Sequence, residues 1–168
     1  MDFLKRASYE GFIAGVIGAG GVALWFFLVD AIDGRPFFTP AMLGSAVFWG
    51  VRDPAQVQIA FPAIIGYTMV HVIAFWVVGT IAAMLAALVD KIPSTLFFMV
   101  VFFAIFEVGF YIVVALLAQP LLGAFAWTNV AIGNLIAAGG MGFYLLKAHP
   151  HIREVMAAHP LGETEEGE

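Results

Sequence analysis

The chain has 168 residues, of which 62% are hydrophobic and 11% are charged. A soluble domain carries about 25% charged residues, so this composition excludes an ordinary water-soluble protein. The absence of cysteine excludes disulfides, thiolate metal sites and a cysteine nucleophile. The formal net charge of −5 comes mostly from the acidic C-terminus, and the seven Lys and Arg residues are scattered, so we expect no nucleic-acid binding.

Four apolar stretches are long enough to cross a bilayer, which takes roughly 20 apolar residues in a helix. We predict spans at about residues 11–29, 62–89, 94–118 and 121–146. Residues 1–147 are therefore expected to form a single four-span transmembrane domain, an all-α integral membrane four-helix bundle. Residues 148–168 are expected to form a cytoplasmic amphipathic segment followed by an acidic tail.

The link between the first two spans contains a further apolar run that is too short to cross a membrane. Thr39 followed by Pro40 is a helix-start signal, and Gly50 is a natural stop. These signals predict a short interfacial or re-entrant helix. Asp53 before a proline repeats the start signal, so the second span is predicted to begin there and to kink near Pro62.

The later connections also carry local signals. A very short turn at Gln119 and Pro120 predicts that the third and fourth spans pack as antiparallel neighbours. After the fourth span, Ile152, Val155 and Met156 recur at helical spacing, which predicts a short amphipathic helix on the membrane surface. The last ten residues are rich in Gly and Glu and are expected to be disordered.

Orientation follows from the short flanks of the spans, because loops rich in Lys and Arg stay in the cytoplasm. Arg35 and Arg52 fall on one side of the predicted membrane. The other side carries Lys5, Arg6, Lys91, Lys147 and Arg153. We therefore expect a multi-pass protein of a bacterial inner (plasma) membrane with both termini in the cytoplasm.

Two ionisable residues, His71 and Glu107, lie inside the predicted spans, and such residues are costly in hydrocarbon. A rise of about 1.5 Å per residue puts both near the middle of the membrane. Tyr67 shares a helix face with His71, Tyr111 shares one with Glu107, and Asn134 falls at a comparable depth on the fourth span. We predict that the five form a buried polar layer in the bundle interior.

Two interpretations of this layer stay open. Its members can be interhelical hydrogen-bonding groups with no further function, each worth about 0.5–2 kcal/mol. They can also form a functional site, because ionisable residues inside a membrane often belong to ion or proton pathways.

Small residues recur four apart on the first span and cluster on the fourth, a pattern that allows helix backbones to approach closely. The predicted faces comprise Gly11, Gly15, Gly18, Gly139 and Gly140. They serve either packing within this bundle or contact with a partner chain or a pigment ring.

The favoured function is a small non-catalytic accessory or assembly subunit of a larger membrane complex, respiratory or photosynthetic. The small size, the many aromatic residues and the glycine faces favour it. Besides the lipid bilayer, its partners are then other membrane subunits or further copies of this chain. In one version His71 ligates a haem or chlorin, although a bis-histidine haem needs a second chain because His71 is the only histidine in the spans.

The alternative is a proton-linked carrier or channel that uses a buried pair of His71 and Glu107. An enzyme is less favoured, because those two side chains lack the third protein ligand that a catalytic metal usually takes. No catalytic or metal-binding residue is therefore assigned. We interpret His149, His151 and His159 as surface residues.

Overall fold

The computed structural model describes residues 3–118 and 124–158, and these residues form helices and no strand. The six α-helices are α1 Phe3–Ile32, α2 Phe38–Trp49, α3 Phe61–Val89, α4 Leu96–Ala118, α5 Ala124–Ala148 and α6 Pro150–Ala158. Four of them, α1, α3, α4 and α5, are long and apolar enough to cross a membrane. The prediction of an all-helical, four-span membrane bundle is confirmed.

The helices differ in length from the predicted spans. The first begins at Phe3 rather than near Gly11, so its basic and acidic first turns are helical as well. The fourth, α5, runs to Ala148, and Pro150 opens α6 after a break at His149. The turn predicted at residues 119–120 and the tail predicted at residues 159–168 lie outside the described residues.

The short helix α2 is present, but it does not start where the sequence signal predicts. It begins at Phe38, its N-cap Phe37 makes no capping side-chain bond, and Thr39 instead donates two hydrogen bonds to Asp30 on α1. The hydrogen bonds to Asp30 therefore take the place of the helix cap that the sequence predicts at Thr39. Gly50 does end the helix, since its left-handed φ of 65° places its N–H against the Ser45 carbonyl.

The second start signal proves to be a separate turn rather than the beginning of α3. Asp53 caps a single 3₁₀ turn at Pro54–Gln56 by accepting a hydrogen bond from the Ala55 N–H. The chain is then extended, and α3 begins at Phe61 with Pro62 in its first turn. Proline is tolerated there because the N–H that it lacks would have no partner within the helix. No helix runs from Asp53 through Pro62, so the predicted kink does not occur.

Glycine allows a very close contact between α1 and α3. A Cβ built on Gly11 would lie 2.3 Å from the Thr80 Cα, and one on Gly79 would lie 2.2 Å from the Gly11 carbonyl oxygen. The two backbones touch, which only glycine permits. In lipid, where apolar side chains gain nothing by leaving the solvent, such close packing is a main source of helix association.

The remaining helices surround this pair unequally. The helix α5 packs on α1 through Ala137 and Met141, and α6 folds under the bundle with Ile152 and Val155 buried beside Leu145. The face of α6 predicted to lie on the membrane surface is thus covered largely by protein. Only 11% of the most apolar stretch of α4 is buried, against 28–33% in the other three spans. The helix α4 therefore leans on α3 and leaves most of its surface open.

Candidate functional site

A cavity of about 410 Å³ lies between α1, α2 and α3, and we name it the His71 cavity. Its walls are largely apolar. The polar side chains that reach it belong to Thr39, Tyr67, Thr68 and His71. This volume falls within the range of about 300–1,000 Å³ typical of small-molecule sites.

His71 connects α3 to α1 at the floor of this cavity. Its Nε2 lies 3.3 Å from the Ala19 carbonyl oxygen, an acceptor, so Nε2 carries the proton in the neutral ring. The rings of Tyr67 and Phe75 flank the imidazole, with centroids 5.7 Å and 4.8 Å away. Axial ligation of a haem or chlorin through Nε2 would require the bond to Ala19 to break, so ligation would have to use Nδ1.

A second cavity, of about 220 Å³, lies between α3, α4 and α5, and we name it the Glu107 cavity. Glu107 and Asn134 reach into an otherwise apolar lining. Asn134 is 6% exposed, and its Nδ2 is a buried donor without a hydrogen-bond partner. No hydrogen bond within the described residues involves the Glu107 carboxyl either. Unpaired polar groups are costly in a water-free interior, which makes this pair a candidate site.

The structure divides the five predicted polar residues instead of joining them in one layer. His71 and Tyr67 line the first cavity, whereas Glu107 and Asn134 line the second. Phe75 stands between the two sets, since its ring contacts His71 on one side and lines the Glu107 cavity on the other. Within the described residues no hydrogen bond joins His71 to Glu107.

Tyr111, the fifth residue, stacks on Trp127 of α5 with ring centroids 5.7 Å apart. It lines neither cavity. This stack joins α4 to α5 near the connection that the sequence predicted to be tight, whereas farther along the same two helices the Glu107 cavity separates them.

The predicted glycine faces serve mainly this chain's own packing. Gly11 and Gly15 lie against the backbone of α3, Gly18 faces Phe75 and Met141, and Gly140 faces Ile17. Gly139 differs, because no side chain or other helix lies within 4 Å of the position its Cβ would take. It is exposed on the outer surface of α5.

A charged cluster that the sequence interpretation missed lies where the start of α1 meets the ends of α3 and α5. His149 is 2% exposed, and its interpretation as a surface residue is wrong. Its Nε2 lies 3.0 Å from Glu10 Oε2, its Nδ1 contacts an Asp90 carboxylate oxygen, and Arg6 Nε lies 2.8 Å from Glu10 Oε1. His149 follows an apolar span directly, and Glu10 and Asp90 border spans at the same end, which is the signal that could have grouped them.

Each ring nitrogen of His149 thus faces a carboxylate oxygen. His149 thereby joins the start of α1 to the ends of α3 and α5, and we name this cluster the His149 latch. Its two carboxylate partners, Asp90 and Glu10, are 59 and 139 residues from His149 in the chain.

Residues 3–118 and 124–158 contain no group of three or more His, Asp or Glu side chains placed to bind a metal ion. The chain was compared with family models, with curated proteins and with solved structures, and no match was found in any of the three.

Proposed function

We propose that this protein is a small non-catalytic subunit of a larger membrane complex. It would bind a transmembrane helix of another protein at the Glu107 cavity, on the side between α4 and α5 that we name the α4–α5 groove. The single observation that carries the proposal is the unpaired Asn134 amide beside Glu107 in that groove. A partner helix that brings a hydrogen-bonding side chain to this depth would satisfy both groups.

The packing of α4 and α5 supports this choice of surface. The walls of the groove include Phe103 and Phe106 from α4 and Leu135 and Ala138 from α5. Leu135 is 72% exposed, and the adjoining Gly139 offers a position where a partner backbone can approach closely. Small residues beside a polar group are the features that bind helices to one another in lipid.

The experiment is purification from the native membrane in mild detergent, with quantitative mass spectrometry and an absorption spectrum of the same band. We expect a second membrane protein to co-purify with the wild-type chain in fixed stoichiometry. The Asn134→Leu variant should no longer co-purify with it. His151→Ala, an exposed α6 variant, is the matched control and retains the partner. A wild-type chain that purifies alone, or a partner held equally by Asn134→Leu, overturns the proposal.

A proton-linked carrier is the second candidate, because Glu107 is an ionisable group in a cavity near the membrane midplane. Asn134, rather than His71, would then be the neighbour of the proton-carrying carboxyl. If the protein is a carrier, proteoliposomes with the wild-type chain show a proton flux that Glu107→Gln abolishes. If it is a subunit, neither the wild type nor Glu107→Gln produces a flux.

For localisation we propose a bacterial inner membrane with both termini in the cytoplasm. The latch end of the bundle carries five of the seven basic residues, and the α2 end carries Arg35 and Arg52. Basic flanks remain cytoplasmic during insertion. A fluorescent protein fused to the C-terminus should fluoresce and a periplasm-dependent phosphatase fused there should be inactive; the reverse pattern overturns this orientation.

A further inference from the structure

Several residues that line the His71 cavity are exposed on the sides of the membrane-spanning helices. Leu24, Phe27 and Thr68 line it and are exposed on membrane-spanning helices, where the surroundings are lipid. Whatever enters by this route dissolves in the bilayer first. The cavity therefore selects lipophilic molecules by position alone.

Its hydrogen-bonding groups narrow the chemistry. The Tyr67 hydroxyl makes no hydrogen bond to any of the described residues. Because His71 donates from Nε2 to the Ala19 carbonyl, its Nδ1 is left as an acceptor. A phenol donor and an imidazole acceptor one helical turn apart suit a ligand that carries carbonyl or hydroxyl oxygens.

The apolar walls suit a planar ring. Phe26, Phe27 and Phe37 line the cavity opposite α3, and the rings of Phe27 and Phe37 lie 5.1 Å apart. Phe37 has φ 66°, the left-handed conformation that a bulky residue rarely adopts. Strained residues of this kind are often found at ligand clamps, and here the strain directs an aromatic ring to the cavity.

We propose that the His71 cavity binds a lipophilic ring compound bearing carbonyl or hydroxyl oxygens, the chemistry of an isoprenoid quinone or quinol. A carbonyl of the quinone would accept from the Tyr67 hydroxyl, and a hydroxyl of the quinol would donate to His71 Nδ1. The ring would lie against Phe27 and Phe37, with its hydrocarbon tail leaving past the exposed lining residues into the lipid. This site is separate from the α4–α5 groove, so it does not depend on the proposed function.

The experiment uses the full chain in nanodiscs of defined phospholipid and a photoreactive benzoquinone probe with a short isoprenoid tail. Labelled positions are mapped by mass spectrometry. We expect saturable labelling of peptides from α1 and α3, prevented by unlabelled quinone and not by a hydrocarbon of the same tail length. Tyr67→Phe, which removes only the hydroxyl, should weaken binding about tenfold, the effect of one lost hydrogen bond.

Two further variants separate binding from folding. Ala23→Phe fills the cavity from the exposed side of α1 and should abolish saturable labelling. Tyr144→Phe removes a hydroxyl from α5 outside the cavity and should leave it unchanged. Equal competition by the hydrocarbon would identify a lipid-chain groove instead. That result overturns the proposal. Labelling spread over all lipid-facing helices also overturns it. So does unchanged binding by Tyr67→Phe, provided that this variant elutes from a size-exclusion column like the wild type.

Discussion

His149 and Glu10 stand 139 positions apart in the chain, yet the imidazole Nε2 lies 3.0 Å from the Glu10 carboxylate in a buried contact. With Asp90 on the other ring nitrogen, His149 ties the first helix to the ends of α3 and α5. Buried hydrogen-bonded contacts are costly to break, because removing one partner leaves the other polar group unsatisfied. The latch therefore fixes the register of these three helix ends.

Replacing His149 with Leu should destabilise the protein by about 1–3 kcal/mol, since it removes the buried ring that contacts both carboxylates and leaves Glu10 with Arg6 alone among the described residues. The measurement is SDS titration followed by tryptophan fluorescence. His151→Leu is the control, because His151 is exposed and its partner among the described residues is the exposed Glu154. Equal midpoints for the two variants would contradict a stabilising latch.

Replacing Gly79 with Ala should force α1 and α3 apart, because the new Cβ would lie 2.2 Å from the Gly11 carbonyl oxygen. Backbone cannot yield as a flexible side chain can, so we expect a loss of about 1–3 kcal/mol, as for other overpacked sites. Gly109→Ala is the matched change, since no described residue outside its own helical turn lies within 4 Å of the new Cβ. The same SDS titration should leave Gly109→Ala near the wild type; an unaffected Gly79→Ala would show that the glycine contact is not required.

Replacing Asp30 with Asn should loosen the start of α2. The Asp30 carboxylate accepts hydrogen bonds from the Thr39 N–H and hydroxyl, both at 2.7 Å, and is 4% exposed. An amide can keep one of these two bonds, so the expected loss is about 1–2 kcal/mol. Hydrogen exchange should rise in residues 38–49 for Asp30→Asn and not for the exposed neighbour Asp33→Asn. Unchanged exchange in Asp30→Asn would remove the anchoring role.

Sequence reasoning succeeded where one dimension is enough. Hydropathy and length identify four spans because lipid demands about 20 apolar residues in a continuous helix. Gly50 ends α2 because the left-handed conformation there is a local property. The spacing of Gly11 and Gly15 predicted a close approach, although it could not say that the partner would be Gly79 on α3.

It fell short where the answer depends on rotation about a helix axis. Counting residues along the helices places His71 and Glu107 at the same depth in the membrane. The direction in which each side chain points depends on how α3 and α4 pack, and in the structure Phe75 separates them. The His149 latch was missed for a related reason. A histidine beside Pro150 near a polar tail resembles a surface residue until α6 folds under the bundle and buries it.

The most direct test of the proposed subunit role is site-specific photocross-linking in native membranes. A photoreactive phenylalanine analogue at Leu135, in the α4–α5 groove, is compared with one at Val16, an exposed position of α1 outside it. We predict a single discrete adduct with another membrane protein from Leu135, none from Val16, and at least a tenfold lower yield when Asn134→Leu is added. Adducts with lipid or with this chain alone, or equal yields from both positions, would contradict a partner helix in the groove.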